Sequence, residues 1–243
     1  MAAAAILVLA GCSSAAAKNT DADFTRTAVL DGQHVRVDLP PGKAKGLAIW
    51  FHGQGGTADT RMNEAWLNVL RVQGWAVASS DFHGNAWGNQ AAVTDTTALL
   101  DWASQQADNP GKRMFVAGSM GGVNSLAYLT AGNPAPACWY GTMPVVDVAT
   151  VGNVPDSAPQ IKAAYNGTAP TPLNLSKLPG IRYRVIASPD DTWVPKSQNA
   201  DHLVKALTAA KREVTTRPAT GEHGNPSHFS DGDLRDFGAS CLK

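Results

Sequence analysis

Several features that mark common ligands and partners are scarce or missing in this sequence of 243 residues. Its 20 Lys and Arg balance its 20 Asp and Glu, so the net charge is zero and no overall field attracts nucleic acid or an anionic membrane surface. None of the three cysteines forms a C-x-x-C pair, which disfavours a zinc knuckle or a dithiol redox centre. There is also no internal repeat and no heptad pattern. We therefore expect no metal, no cofactor and no nucleic-acid partner.

The apolar stretch at the N-terminus is short. Residues 2–10 fall below the roughly 20 apolar residues that span a bilayer, which is typical of a processing segment. The stretch ends in Leu9-Ala10-Gly11-Cys12, which resembles the lipobox of bacterial lipoproteins, where the cysteine carries a diacylglyceryl group. Residues 13–23 are mostly small and polar, which predicts a tether. We expect either a lipoprotein on the outer face of a bacterial membrane, held there only by lipidated Cys12, or a secreted protein.

Residues 24–243 predict a single α/β domain, because segments of strand character alternate with segments of helical periodicity. Asp31-Gly32 lies between two alternating segments, which predicts an N-terminal antiparallel hairpin. The remaining pattern predicts a mostly parallel central sheet with helices on both faces. The predicted strands are 24–30, 34–39, 46–51, 75–79, 113–116, 137–146, 181–187 and 213–217. The predicted helices contain 62–70, 92–103, 123–129, 160–165, 196–211 and 231–242.

One long segment breaks this alternation. Residues 147–180 contain proline, glycine and asparagine throughout and only one short helical candidate. Long irregular segments in compact domains are usually functional or mobile. We interpret this segment as a possible cap that covers a site.

Ser119 lies where a predicted strand meets a predicted helix. Small residues stand two positions before it, Ala117, and two positions after it, Gly121, which gives the pattern A-x-S-x-G. Such a corner is typical of a nucleophile elbow, in which the serine oxygen is exposed above the sheet. The motif alone is a weak signal, since small residues are common in strand-to-helix turns.

Other chemically capable residues follow the other predicted strands. Ligands of a parallel sheet gather at the carboxyl ends of its strands. The first buried strand is followed by the glycine-rich segment 52–56, where backbone N–H groups can approach a developing oxyanion. Later strands are followed by Asp191 and by His223. A nucleophile, an acid and a base thus occur along the chain in the order Ser, Asp, His.

With these motifs the chain resembles the α/β-hydrolase superfamily, specifically small exported serine esterases, over residues 24–242. The resemblance implies that Ser119 is the nucleophile. It also implies an oxyanion hole made by the backbone N–H groups of Met120 and Gln54. The departure from the family pattern is the alanine at position 117, where glycine is usual.

The same resemblance assigns the other two catalytic side chains. Asp191 begins the family's D-x-x-V-P pattern, here Asp191-Thr192-Trp193-Val194-Pro195, and His223 matches its G-x-H. A serine hydroxyl is a poor nucleophile at neutral pH, so an imidazole must accept its proton, and an aspartate must orient that imidazole. The predicted activity is hydrolysis of a small-molecule or polymeric carboxylic ester through an acyl-enzyme.

Some alternatives stay open at this stage. Asp190 could replace Asp191 as the acid, and His228 could replace His223 as the base, although it lies beside the predicted N-cap Ser230 of the last helix. The same triad would suit a peptidase or a polyester depolymerase. A chain of this fold could also be a non-catalytic surface-binding lipoprotein.

The remaining aromatic residues, histidines and cysteines are candidates either for the substrate pocket or for structural roles. Trp87, His83 and Trp193 are candidates for the walls of a substrate pocket, and packing is the alternative for the first two. Cys138 and Cys241 could form a disulfide or remain two isolated buried thiols. Trp50, Trp66 and Trp75 fit core positions, and His34 and His202 fit surface positions.

Overall fold

The computed structural model describes residues 24–243. The predicted lipobox, its Cys12 and the tether lie outside the described residues. Within residues 24–243, none of the helices is long and apolar enough to cross a membrane.

A single sheet of eight strands organises the chain. The strands are β1 (Thr25–Leu30), β2 (Gln33–Asp38), β3 (Gly46–Phe51), β4 (Trp75–Ser80), β5 (Lys112–Gly118), β6 (Cys138–Thr142), β7 (Arg182–Ala187) and β8 (Glu213–Pro218). Their order is β1-β2-β4-β3-β5-β6-β7-β8. The first two strands form the predicted hairpin, and β2 is also antiparallel to β4. All other neighbouring pairs are parallel, which confirms the predicted sheet.

Helices cover both faces of this sheet. They are α1 (Ala65–Gln73), α2 (Gln90–Gln106), α3 (Met120–Thr130), α4 (Ser157–Ala164), α5 (Ala200–Ala209) and α6 (Asp231–Cys241). The six residues of β3 are all buried, and successive side chains point to opposite faces. Leu47 and Phe51 pack in the cluster that includes α2, α3 and α5, whereas Trp50 packs in the cluster that includes α1 and α6.

The last helix is fixed at both ends. The Ser230 hydroxyl accepts a hydrogen bond from the Asp233 N–H, which confirms the predicted N-cap. At the other end, Cys241 forms a disulfide with Cys138 of β6, with 6.0 Å between the Cα atoms. The disulfide joins the C-terminal helix to the centre of the sheet.

The predicted strand 137–146 is too long. β6 ends at Thr142, because Met143 has a left-handed backbone (φ 42°) and Pro144 has no N–H to donate to a ladder. The segment beyond it leaves the sheet, and the Val145 N–H donates to the Ser119 carbonyl at 2.9 Å. These residues therefore support the strand-to-helix corner rather than the sheet.

Some predicted helix bounds are also wrong. Met62 is buried but lies in a turn before α1, where its N–H donates to the Asp59 carbonyl. Residues 196–199 form turns before α5 rather than its first residues. In the long irregular segment, α4 starts at Ser157, three residues earlier than predicted, and α3 starts at Met120, directly after Ser119.

Candidate active site

Ser119 occupies a strained corner between β5 and α3. Its backbone angles are φ 53° and ψ −123°, a conformation that non-glycine residues rarely adopt. The first turn of α3 packs closely against the backbone at the end of β3, since a Cβ at Gly121 would lie 2.0 Å from the Phe51 carbonyl oxygen. A Cβ at Gly122 would lie 2.7 Å from the Val145 carbonyl oxygen. Glycine at these positions lets the helix begin immediately behind the serine.

His223 links Ser119 to Asp191. Its Nε2 lies 2.8 Å from the Ser119 Oγ, and its Nδ1 lies 2.7 Å from the Asp191 Oδ2. An ionised carboxylate only accepts hydrogen bonds, so Nδ1 donates to it and Nε2 is left to accept the serine proton. The side chains of His223 and Asp191 are 9% and 2% exposed. The structure therefore brings together the three residues that the sequence predicted, with one imidazole nitrogen facing the carboxylate and the other facing the serine oxygen.

Asp191 is held by its own loop. Its second oxygen, Oδ1, accepts the N–H groups of Trp193 at 3.0 Å and Val194 at 2.9 Å. The Trp193 ring stacks on the His223 ring with 5.6 Å between centroids and an interplanar angle of 28°. Trp193 is itself 41% exposed. Its stacked ring therefore lies between one face of the imidazole and the solvent.

The loop after β7 is joined to the loop after β8. The carboxylate of Asp190, the alternative acid, accepts the Gly221 N–H at 3.0 Å, whereas the imidazole is paired with Asp191. The Glu222 carboxylate accepts both the N–H and the hydroxyl of Thr192, at 3.1 and 2.9 Å. These bonds fix the loop that carries the aspartate against the loop that carries the histidine.

The glycine-rich segment after β3 lies directly over the serine. A Cβ at Gly53 would be 3.3 Å from the Ser119 Cβ. Gln54 lines the same cavity as Ser119, and the N–H of Met120 has no acceptor within its own helix because Met120 is the first helical residue. Both predicted oxyanion donors thus belong to segments that border the serine.

Three neighbours hold this segment in place. The Gln54 side-chain amide donates to the Pro155 carbonyl and to Gln160 Oε1, at 2.7 and 2.8 Å. The Gly55 N–H donates to Asn85 Oδ1 at 2.7 Å. Beneath it, His52 is fully buried with its ring nitrogens 2.8 Å from the Gly53 carbonyl oxygen and 3.2 Å from that of Asp81. Burial lowers the pKa of His52, so its imidazole is neutral.

A cavity of about 210 Å³ opens above Ser119 and His223. Trp193 and Phe229 contribute aromatic walls, and Val154 contributes from the irregular segment 147–180. That segment therefore borders the cavity and also binds the Gln54 side chain.

The chain is similar to known proteins in its three-dimensional structure. No protein-family model and no curated protein matches the chain. A carboxyl esterase from Bacillus coagulans matches with 13% identity and a TM-score of 0.66, over 90% of this chain and 99% of the esterase. Est1E from Butyrivibrio proteoclasticus matches with 15% identity and a TM-score of 0.67, over 90% of this chain and 98% of that one. This chain has the α/β-hydrolase fold.

A larger protein shares the same α/β-hydrolase fold. A puromycin-hydrolyzing peptidase of Mycobacterium tuberculosis matches with 16% identity and a TM-score of 0.69 over 90% of this chain. This chain spans only 40% of the length of that peptidase. The shared fold places the carboxyl ends of β5, β7 and β8 together, which explains why distant residues meet here.

The alternative pocket and base residues lie elsewhere in this α/β-hydrolase fold. His228 is buried in a short 3-10 helix, where its Nδ1 faces the Asn225 carbonyl at 3.1 Å. Trp87 is fully buried against Met120 and therefore has the packing role. His83 pairs with Asp95 at 2.6 Å and does not line the cavity.

Sequence reasoning missed several residues that shape the site. Asn85 and Gln160 fix the segment over Ser119, and Arg61 and Phe229 line the cavity. Asn85 lies in a polar loop after β4, so its position at a strand end was a usable signal. The others are brought to the site by long-range packing, for which the sequence holds no local pattern.

Proposed function

We propose that this protein is a serine hydrolase that cleaves carboxylic esters through an acyl-enzyme. The observation that carries the proposal is the continuous hydrogen-bonded chain from Ser119 through His223 to Asp191. It lies beside a glycine-rich segment and opens into a cavity. The esterases among proteins of the same fold support this choice of reaction.

Acylation begins when the Ser119 Oγ attacks the carbonyl carbon of the ester and its proton passes to Nε2 of His223. The carbonyl oxygen becomes an oxyanion that accepts hydrogen bonds from the N–H groups of Met120 and Gln54. The tetrahedral intermediate then breaks the bond to the alcohol oxygen, which leaves with the proton from the imidazolium. Ser119 now carries the acyl group.

Deacylation repeats these steps with water. His223 accepts a proton from the water molecule as its oxygen attacks the acyl carbon. The second intermediate breaks the bond to Ser119, and the serine oxygen recovers the proton from the imidazolium. Asp191 stabilises the imidazolium in both halves, since its carboxylate lies 2.7 Å from Nδ1.

The test is turnover of p-nitrophenyl butyrate by the wild type and two serine variants. Ser119→Ala should lose on the order of 10⁴-fold or more in kcat, because triad members act as a unit. The matched control is Ser197→Ala, whose side chain is exposed and lies outside both the cavity wall and residues 147–180. Normal turnover by Ser119→Ala would overturn the proposal. Faster cleavage of the matched anilide, N-(4-nitrophenyl)butanamide, would replace the esterase with an amidase.

We also propose that the protein is exported and that Cys12 is lipidated, with residues 147–180 serving as a cap over the site. The disulfide between Cys138 and Cys241 supports export, because disulfides persist in oxidising compartments. Incorporation of labelled palmitate in a bacterial host is expected for the wild type and not for Cys12→Ser. Equal incorporation by both would contradict lipidation at this residue.

A further inference from the structure

One charged side chain lines the cavity above Ser119. Among the described residues that form its wall, Arg61 is the sole one with a permanent charge. The rest of the wall combines glycine backbone, the uncharged polar residues Gln54 and Thr60, the catalytic candidates Ser119 and His223, and apolar or aromatic side chains such as Trp193 and Phe229. A fixed cation in a ligand cavity favours substrates that carry an anionic group over neutral substrates.

Arg61 is fixed in relation to the serine. The Trp50 indole N–H donates to the Thr60 carbonyl, directly before Arg61, at 2.9 Å. The same indole packs under the elbow, since a Cβ at Gly118 would lie 2.8 Å from it. The guanidinium carbon of Arg61 lies 3.8 Å from the centroid of the Phe229 ring. The ring and the anchored backbone thus hold the guanidinium on the cavity wall.

The guanidinium keeps most of its hydrogen-bonding capacity. Its recorded hydrogen bond within residues 24–243 runs from Nη1 to Glu64 Oε2, at 2.5 Å. A guanidinium has five N–H donors, so the remaining ones are available to a planar oxyanion. The Arg61 and Glu64 side chains are 29% and 48% exposed, and such partly exposed ion pairs contribute little. A substrate anion can therefore share or replace Glu64.

We propose that Arg61 binds a carboxylate carried by the substrate, so that the natural substrate is an ester with a free carboxylate away from the bond that is cleaved. This inference rests on the proposed esterase activity. Arg61 supplies bidentate recognition of the carboxylate, while Trp193 and Phe229 pack against the apolar part of the substrate. Neutral esters bind without this ion pair and are poorer substrates.

The test compares two pairs of esters that differ only in the anionic group. In 4-acetoxybenzoate and 4-acetoxybenzamide the difference is on the leaving group. In monoethyl adipate and its terminal amide it is on the acyl group. The readout is the ratio of kcat/KM for the anionic over the neutral member. For at least one pair we expect a wild-type ratio of about ten, because one hydrogen bond to a charged group contributes enough binding free energy for about a tenfold difference.

Two variants separate recognition from a structural role. Arg61→Gln should bring that ratio to about one, and Arg61→Lys should restore part of it as a point charge. Glu64→Gln removes the competing carboxylate and should raise the ratio above that of the wild type. If Arg61 had only a structural role, Glu64→Gln would leave the ratio unchanged.

The outcomes distinguish the two proposals. Ser119-dependent hydrolysis of the neutral esters, with the same ratio in the wild type and Arg61→Gln, would overturn this inference and leave the esterase in place. A ratio that falls in Glu64→Gln would also overturn it. If none of the four esters is cleaved in a Ser119-dependent reaction, the proposed function itself fails.

Discussion

Replacing Gly121 by alanine tests how tightly the elbow is built. The new Cβ would lie 2.0 Å from the Phe51 carbonyl oxygen, 2.6 Å from its carbonyl carbon and 2.9 Å from the His52 carbonyl oxygen. Real Cβ atoms essentially never approach closer than 3.0 Å, so the contact has to open by about 1 Å. All three atoms are backbone atoms of β3 or of the residue after it. No flexible side chain can rotate away, and the first turn of α3 must move.

Two losses follow from this displacement. Overpacking a core typically costs about 1–3 kcal/mol, and we expect Gly121→Ala to lose about 3 kcal/mol or more because backbone has to shift. Met120, a proposed oxyanion donor, is the residue directly before Gly121. A displacement of about 1 Å at a positioned group can reduce turnover on the order of 10²-fold.

Urea unfolding and p-nitrophenyl butyrate turnover measure the two effects. The control is Gly111→Ala, since an added Cβ there has nothing within 4 Å and the backbone is not left-handed. The control should match the wild type in both assays. Gly121→Ala with a free energy of unfolding within about 0.5 kcal/mol of the wild type and full turnover would refute the tight contact between α3 and β3.

Three further predictions address the triad, the disulfide and a buried imidazole. Asp191→Asn should lose on the order of 10⁴-fold in kcat by favouring the wrong tautomer of the histidine, whereas Asp190→Asn should retain near-normal turnover; equal losses would refute the assignment of the acid. Reduction of the bond between Cys138 and Cys241, which are 103 residues apart, should lower the free energy of unfolding by about 2–5 kcal/mol in urea titrations with and without reductant, and coincident curves would contradict this. Burial lowers the pKa of His228 from 6.5, so the native state keeps it neutral while the unfolded chain binds a proton, and stability is lost as pH falls below about 6.5. His228→Gln should therefore lose less stability than the wild type between about pH 7.5 and 5.5, and an equal loss would contradict the buried neutral imidazole.

Much of the fold could be predicted because the local pattern and the tertiary environment agree. β3 is an unbroken apolar run and is buried along its whole length. Ser119, Asp191 and His223 each follow a strand, and parallel strands bring their carboxyl ends together. The order of residue types along the chain therefore indicated which strand ends meet, whereas the choice of Asp191 over Asp190 and of His223 over His228 rested on the family resemblance.

The errors occur where long-range contacts override the local pattern. Residues 137–146 have strand character, yet Met143 takes a left-handed backbone so that Val145 can donate to the Ser119 carbonyl. Arg61 lies in a series of turns before α1, and nothing local indicates that Phe229 will hold it on the cavity wall. Contacts between residues so distant in sequence depend on the folded sheet and leave no periodic signal.

Labelling with a fluorophosphonate probe tests the central claim most directly. The probe phosphonylates a serine only where a base activates it and donors stabilise the oxyanion, so it reports on the assembled site whatever the natural substrate is. We predict that the wild type gains one phosphonyl group, that peptide mapping places it on Ser119, and that Ser119→Ala and His223→Ala lose it. A folded wild type that remains unlabelled, or a label on a different serine, would contradict the account.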